Sequence, residues 1–224
     1  MSKLVIFGAG QTAEIVHHYF KYDSPHEVVA FAVNQQMIKE SSFLGKPIVP
    51  FETIEKEFPK DQYKMHSAAS YTDCNGVREK MYNQAKEKGY ELVTFISSKA
   101  GIIGDRQIGD NCVILENQLI QPFAKIGNNV ALWNGVLVGH HSSVEDHCWI
   151  TSGANIGGNC RIGERSFLGM NSTIAHMVTL GRECFLGAGC LVTKTAPDYS
   201  VYIQKETERF KLDSRKFMLI TKMR

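Results

Sequence analysis

An aliphatic residue recurs at every sixth position through the second half of the chain. From Ile102 onward each sixth residue is Ile, Leu or Val, without a break, as far as Val192. A period of six matches neither the helical turn of about 3.6 residues nor the alternation of a strand. It predicts a β-solenoid that turns a corner every six residues, with the aliphatic side chain inside and three hexads in each triangular coil. The series is Ile102, Ile108, Ile114, Ile120, Ile126, Leu132, Val138, Val144, Ile150, Ile156, Ile162, Leu168, Ile174, Leu180, Leu186 and Val192.

Two further positions of the hexad are restricted in size. Glycine often follows the aliphatic residue, and the residue four places after the aliphatic is small or modest. We expect the glycine to relieve the bend and the small side chain to fit the corner. Because five cysteines occupy this small-residue position, they are interpreted as buried structural thiols, not as nucleophiles or metal ligands. They are Cys112, Cys148, Cys160, Cys184 and Cys190, whereas Cys74 lies outside the repeat.

Residues 1–98 follow a different pattern, in which strand-like and helix-like segments alternate. Residues 4–7, 28–33 and 91–96 have the apolar character of strands, and 12–20, 51–58 and 78–88 that of helices. This alternation predicts a small parallel sheet of Rossmann type. The boundary with the repeat is predicted near residue 98.

A glycine-rich turn joins the first predicted strand to the first predicted helix. Gly8 and Gly10, followed by Gln11 and Thr12, stand where a nucleotide phosphate could meet a helix N-terminus. A tight turn without a ligand is the alternative interpretation. The acidic residue expected to hold a dinucleotide ribose after the second strand is replaced by Asn34, which favours a nucleotide other than NAD.

Histidines cluster in the middle of the repeat. Acyl transfer to an amine or hydroxyl needs a general base that titrates near neutral pH, and histidine is the usual choice. Backbone N–H groups beside Gly157 and Gly158, one coil later, are candidates for stabilising an oxyanion. Solvated histidines without a catalytic role are the alternative, and since no spacing matches a zinc site we expect no metal. The cluster comprises His140, His141 and His147 with Glu145 and Asp146, while His176 is expected at the surface or at a subunit interface.

Composition narrows the class of protein. The chain has 224 residues, 43% hydrophobic and 21% charged, with a net charge of +2 spread along the sequence. These values are ordinary for a soluble globular protein and imply no nucleic-acid partner. The first residues lack the pattern of a signal peptide, and no apolar stretch of about 18 residues exists, so we expect a cytoplasmic protein without a membrane partner.

Together these motifs resemble the bacterial nucleotide-sugar N-acetyltransferases, which are grouped with the sialic-acid O-acetyltransferase-like sugar acyltransferases. The resemblance extends to about residue 200 and implies an α/β Rossmann-like N-terminal domain, a left-handed parallel β-helix of hexapeptide repeats, and a homotrimer with active sites between subunits. The domains would be 1–98, 99–200 and a C-terminal tail, 201–224, that caps the coil, since an open solenoid end needs covering. The resemblance rests on residues 4–13, Arg78 before a helix, residues 95–100, Val138-Gly139-His140 and residues 187–194.

The resemblance also implies the chemistry. Acetyl-CoA would be the co-substrate, and the amino group of a nucleotide-linked amino-deoxysugar would attack its thioester directly, for surface glycan (lipopolysaccharide) biosynthesis. His140 matches the general base of the family's V-x-H motif. The acidic residue that usually follows this base is His141 here, so Glu145 or Asp146 would assist. A second family histidine, nine residues after the base, is Trp149 here.

Ligand contacts follow from the same resemblance. The acceptor would lie on the glycine-rich turn and reach His140 of a neighbouring subunit, while CoA would lie along the coils of two subunits. In place of the family's closing Gly-x-Pro-Ala turn, this chain has a charged, partly apolar tail. The implied residues are Gly8, Gly10, Gln11, Thr12 and Asn34 for the acceptor, and Trp149, Gly158, Met170, Ala188 and Lys194 for acetyl-CoA.

Three other functions compete with this one. A sugar O-acetyltransferase would use the same histidine base, and sequence does not separate it from an N-acetyltransferase. A non-catalytic β-solenoid scaffold needs neither the glycine-rich turn nor Val138-Gly139-His140, so these features favour an enzyme. An oxidoreductase would rest on Gly8-Ala9-Gly10 alone.

Overall fold

A computed structural model of the protein describes residues 2–105 and 107–221. Its first part is a five-stranded sheet with two helices, and its second part is a long coil of very short strands. None of the helices in the described ranges is long and apolar enough to cross a membrane. The first part contains β1 (Lys3–Phe7), α1 (Gln11–Tyr22), β2 (Glu27–Val33), β3 (Ser42–Phe43), β4 (Lys46–Pro50), β5 (Tyr63–Ser67) and α2 (Gly76–Glu87), with 3₁₀ turns at Gln35–Met37 and Phe51–Lys56.

The N-terminal sheet places its functional loops at one edge. Its strand order is β3-β4-β2-β1-β5, and β1 is paired in parallel with both β2 and β5. Parallel neighbours end at the same edge, so the segments after these three strands lie together there. The Gly8 N–H, for example, donates to Ala32 O at 2.8 Å, and the Ala68 N–H to Phe7 O at 2.8 Å.

The predicted elements of this part are mostly confirmed. The strands at 4–7 and 28–33 and the helices at 12–20 and 78–88 are present with slightly different ends. The segment 51–58 forms only a short 3₁₀ turn, and of 91–96 only the last two residues form a strand. β5 was not predicted, because Lys64 and His66 interrupt its apolar pattern. His66 is nevertheless buried, since its Nδ1 lies 2.8 Å from Val93 O.

The coil consists of two-residue strands that pair with the strand one coil later. Residues 18 apart are partners, as Ala131 and Trp149 show, so three hexads make one coil as predicted. The three faces have the strand orders β22-β20-β17-β14-β11-β8-β6, β21-β18-β15-β12-β9-β7 and β10-β13-β16-β19. The strands are β6 (Phe95–Ile96), β7 (Gly101–Ile102), β8 (Val113–Ile114), β9 (Leu119–Ile120), β10 (Lys125–Ile126), β11 (Ala131–Leu132), β12 (Leu137–Val138), β13 (Ser143–Val144), β14 (Trp149–Ile150), β15 (Asn155–Ile156), β16 (Arg161–Ile162), β17 (Phe167–Leu168), β18 (Thr173–Ile174), β19 (Thr179–Leu180), β20 (Phe185–Leu186), β21 (Leu191–Val192) and β22 (Val201–Tyr202).

The interior of the coil is built as the repeat predicts. The periodic aliphatic residues form one continuous core together with the small residues of the hexad. The five repeat cysteines are buried free thiols, which confirms their structural interpretation. Residues at this corner position also donate hydrogen bonds to backbone carbonyl groups. Cys148 Sγ donates to Gly163 O at 3.2 Å, and Ser142 Oγ donates to Gly157 O at 2.7 Å.

The bend falls on a different residue of the hexad from the one expected. Every sixth residue from Asn111 to Gly189 is left-handed, with φ between 52° and 73°. The glycines that follow the aliphatic residues are not among these. A Cβ on Gly139 would lie 2.5 Å from the backbone of Gly157 in the next coil. These glycines therefore permit close contact between coils, and the bend itself is left to other residues, many of them Asn, which tolerate positive φ.

The N-terminal part packs on one face of the coil. Ala131, Trp149 and Phe167 form a buried apolar cluster on that face. Arg78 crosses the interface, since its guanidinium donates to Ala69 O at 2.6 Å and to Asn129 O at 2.7 Å. The first strand of this face is β6, which pairs with β8.

The tail continues the coil for two residues and then leaves it. β22 pairs with β20, and Tyr202 packs against the coil interior. A helix, α3 (Ser214–Thr221), follows and buries none of its residues.

Candidate functional site

One edge of the coil carries the predicted base. This edge lies between the face that contains β12 and the face that contains β13, and we call it the histidine corner. Since coils repeat every 18 residues, residues at that spacing stack above one another. The histidine corner consists of residues 122–123, 140–141, 158–159, 176–177 and, in the last coil, 193–195.

His140 is exposed and its ring is held by its neighbour in sequence. Its Nδ1 lies 3.1 Å from Nδ1 of His141, and its backbone N–H donates to Gln121 Oε1 at 2.9 Å. His141 occupies the left-handed bend, with φ 59°, and its ring lies against Phe123 with centroids 4.6 Å apart. One Nδ1 must donate and the other accept. When His140 donates, its Nε2 carries a lone pair, which is the tautomer that a general base needs.

The residue one coil after His140 lies directly against its ring. A Cβ on Gly158 would lie 2.7 Å from Nε2 of His140, so only glycine leaves room for the imidazole there. His176 follows one coil further on, exposed, with its ring centroid 6.1 Å from that of His140. Two imidazoles thus lean together over a residue without a side chain.

The structure does not bring Glu145 or Asp146 to His140. Glu145 accepts a hydrogen bond from Arg161 Nε at 2.5 Å and another from the Glu164 N–H at 3.2 Å. Asp146 accepts from the backbone N–H of Asn128 at 2.7 Å. Both carboxylates follow β13, whereas His140 precedes it. The assistance expected of Glu145 is therefore not supported by the geometry, and the side chain that does contact the His140 ring is His141.

Trp149 also lies apart from the histidine corner. It is 4% exposed and sits on the coil face beneath the N-terminal part. The Arg78 guanidinium lies over its ring at 4.9 Å, and the Tyr71 ring lies 5.8 Å away. A side chain so enclosed has no surface to offer a cofactor, so the contact with CoA expected of Trp149 is corrected to a packing role.

The other residues expected to contact CoA lie on two corners. Gly158 and Lys194 share the histidine corner with His140, and Lys194 is exposed. Strands stack about 4.8 Å apart, so Lys194 lies three coils, or about 14 Å, from His140. Met170 and Ala188 are exposed and stack one coil apart on the neighbouring corner, between the faces of β14 and β15, which we call the Met170 corner.

The two glycines of the glycine-rich turn differ in what a side chain would meet at each position. Gly8 has φ 132°, and a Cβ there would lie 2.5 Å from Ala68 O, so the backbone alone requires glycine. Gly10 has an ordinary φ of −106° at the N-cap of α1, and nothing lies within 4 Å of the place of its Cβ. Gly10 therefore leaves open space above the first turn of α1. Gln11 is exposed beside it, and Thr12 and Asn34 are half-buried.

A small cavity beside this turn is lined in part by the buried guanidinium of Arg78. Its volume is about 10 Å³, and Thr12, Ser67 and Trp133 are among its lining residues. Arg78 also lines it and forms no ion pair within the described part of the chain. Burial lowers the pKa of Arg78 to about 10. The sequence pointed to Arg78 only through the resemblance, and it missed Ser67 because β5 was not predicted.

One group of side chains has the spacing of metal ligands. Polar atoms of Glu79, His147 and Glu164 lie within 4.8 Å of one another. However, Asn129 Nδ2 lies 2.9 Å from His147 Nδ1, and Asn129 Oδ1 already accepts from Arg78 at 3.1 Å. The amide therefore donates to Nδ1 and fixes the proton of His147 on Nε2, so neither nitrogen offers a lone pair to a metal. Burial lowers the pKa of His147 and raises that of Glu164.

Comparison with known proteins agrees with this architecture. Residues 141–176 match the bacterial transferase hexapeptide (six repeats), and residues 159–194 match the hexapeptide repeat of succinyl-transferase. No curated relative matches the sequence.

Several solved structures share the fold over nine tenths of the chain. PerB from Caulobacter crescentus, solved with CoA and GDP-perosamine, is 22% identical, with a TM-score of 0.78 over 90% of this chain and 93% of that one. The acetyltransferase domain of PglB from Neisseria gonorrhoeae is 21% identical, with a TM-score of 0.77 over 90% and 96%. WeeI from Acinetobacter baumannii is 16% identical, with a TM-score of 0.51 over 90% and 96%. At these identities the likeness establishes the fold.

Proposed function

We propose that this chain, a hexapeptide-repeat transferase of the left-handed β-helix superfamily, is an acetyl-CoA-dependent N-acetyltransferase for the amino group of a nucleotide-linked amino-deoxysugar. The observation that carries the proposal is the state of His140. Its Nδ1 lies 3.1 Å from Nδ1 of His141, and its ring is exposed and lies over Gly158, which has no side chain to cover it. The likeness to PerB, solved with CoA and GDP-perosamine, supports this choice of substrates.

The reaction is a direct attack on the thioester. The acceptor amine forms a bond to the acetyl carbonyl carbon while Nε2 of His140 takes a proton from the amine. The tetrahedral centre then collapses, the carbon–sulfur bond breaks, and His140 returns the proton to the thiolate. His141 keeps the ring of His140 in the productive tautomer by accepting its Nδ1–H.

The acceptor is assigned to the N-terminal part, which we take to be a Rossmann-like domain over residues 1–98. The open space at Gly10 and the first-turn N–H groups of α1 suit an anionic phosphate, because a helix N-terminus carries partial positive charge. Gly8 shapes the turn, and Gln11, Thr12 and Asn34 surround it. The buried guanidinium of Arg78 adds positive charge nearby.

The donor is assigned to the coil. Gly158 and Lys194 lie on the corner of His140, and Lys194 supplies a cation for the CoA phosphates about 14 Å from the base. Met170 and Ala188 lie on another corner, so they serve a second subunit. We therefore propose a homotrimer in which CoA lies between the histidine corner of one subunit and the Met170 corner of the next. We propose surface glycan biosynthesis as the process that this reaction serves.

The test is release of free thiol from acetyl-CoA with a panel of nucleotide-linked amino sugars. We expect thiol release with one amino sugar, and a loss of at least about 100-fold in the His140→Ala variant. His18→Ala is the matched control, because His18 is an exposed histidine on α1. The buried thiols of the repeat add little background, since burial raises the pKa of Cys112 to about 12 and also raises those of Cys160 and Cys184.

Other outcomes of this assay would overturn the proposal. Release only with hydroxyl sugars would make the protein an O-acetyltransferase. No CoA binding would leave a scaffold. Full activity in His140→Ala would remove His140 from the mechanism.

A further inference from the structure

We propose that His176 is a second catalytic histidine, whose ring N–H binds the carbonyl oxygen of the acetyl thioester as that oxygen becomes an oxyanion. The inference rests on the proposed function and adds a residue to its site. His176 is exposed on the histidine corner, two coils after His140, and the two ring centroids lie 6.1 Å apart.

The coil between the two histidines places no side chain between them. Gly158 stands there without a side chain, so nothing separates the two rings. The His140 ring lies over Gly158, with Nε2, Cε1 and Cδ2 at 2.7, 2.8 and 3.1 Å from the place of a Gly158 Cβ. Because both rings are exposed on the same corner, a reacting group that lies against this corner can reach both imidazoles.

The spacing suits one tetrahedral centre. Hydrogen bonds to its attacking nitrogen and to its oxygen are each about 2.8 Å long, so two imidazoles that reach these atoms from the same side can have ring centroids roughly 6 Å apart. Two other aromatic side chains with an N–H group, those of Trp149 and His141, are engaged elsewhere and do not donate to the oxyanion. Trp149 is buried under the N-terminal part, and His141 is turned toward Nδ1 of His140 and Phe123.

The step balances with this assignment. As the amine nitrogen bonds to the carbonyl carbon, the π electron pair moves to oxygen, and the oxyanion accepts the N–H of His176. His140 holds the proton from the amine. When the carbon–sulfur bond breaks, that proton goes to sulfur and the carbonyl re-forms, while His176 keeps its own proton throughout. A donor to an oxyanion contributes a rate factor of about 100 to 1,000.

The experiment compares wild type, His176→Ala, His176→Asn and the control His18→Ala in the thiol-release assay with the accepted amino sugar. We expect kcat to fall about 100-fold in His176→Ala, with the KM for acetyl-CoA within about threefold. His176→Asn retains an N–H donor, so we expect it to recover part of kcat. Because His176 is exposed, the melting temperature of each variant should match wild type.

Three results would overturn the inference. They are a kcat within twofold of wild type in His176→Ala, a change confined to the KM for acetyl-CoA, and a fall in kcat that tracks a lower melting temperature. Failure of the proposed function is a separate result, since it shows as no thiol release by the wild type or as full activity in His140→Ala.

Discussion

At the scale of single residues, the site depends on an unusual pair of imidazoles. In the proposed mechanism His141 accepts from His140 in place of the carboxylate that an imidazole base often has, and it would do so from a left-handed backbone with φ 59°. Loss of the partner that orients a metal-bound histidine typically costs about 10- to 100-fold in activity, and we take the same range for a histidine base. We therefore expect His141→Leu to lower kcat by that factor, because leucine accepts no hydrogen bond.

The matched variant is His141→Asp. Aspartate tolerates positive φ and offers a carboxylate to Nδ1 of His140, so we expect a kcat within about threefold of wild type. Steady-state kinetics of His141→Leu and His141→Asp give the two kcat values and so test whether His140 needs a hydrogen-bond acceptor at its Nδ1. Equal kcat values in wild type and His141→Leu would show that His140 needs no partner.

At the scale of elements, the turn between β1 and α1 separates a structural glycine from a functional one. A Cβ on Gly8 would press on Ala68 O at 2.5 Å with φ at 132°, so we expect Gly8→Ala to lower the free energy of unfolding by about 2 kcal/mol. Gly10→Ala meets no atom within 4 Å, so only the poorer N-cap preference of alanine remains and the free energy of unfolding measured in urea should fall by less than about 1 kcal/mol.

Activity gives Gly10 its own test. The methyl group of Gly10→Ala would occupy the space assigned to the acceptor phosphate, so we expect the KM for the amino sugar to rise about tenfold with little change in that for acetyl-CoA. Unchanged kinetics in Gly10→Ala would place the nucleotide elsewhere.

The elements also show why some features could be predicted and others could not. The six-residue period specifies the coil because each hexad is a local unit whose aliphatic residue must face inward. In β5 the buried His66 is satisfied only by Val93 O, a distant partner that no local pattern reveals. Glu145 appeared close to His140 along the chain, yet the two lie at opposite ends of β13. Because His176 follows His140 by 36 residues, which is two coils, the sequence could have predicted that the two lie on the same corner.

At the scale of the whole molecule, the three faces of the coil differ in what covers them. The face of β14 lies beneath the N-terminal part, and the face of β13 presents Lys125 and Arg161. The face of β12 presents Leu119 and Leu191, which are 37% and 64% exposed. This apolar face borders both the histidine corner and the Met170 corner. A second copy packed on it would bring those two corners together, as the proposed site requires.

The oligomeric state tests this arrangement. We expect the wild type to have three times the 25.1 kDa mass of one chain in light scattering, and the double variant Leu119→Arg/Leu191→Arg to be a monomer. Both side chains point outward, so folding should be preserved, whereas six arginines buried around one axis repel each other and lose hydration. The monomer should release no thiol, because its histidine corner would lack the partner's Met170 corner. Lys125→Glu, on the charged face, is the control and should remain an active trimer. A double variant that stays trimeric would move the subunit contact to another face, and an active monomer would place the whole site within one chain.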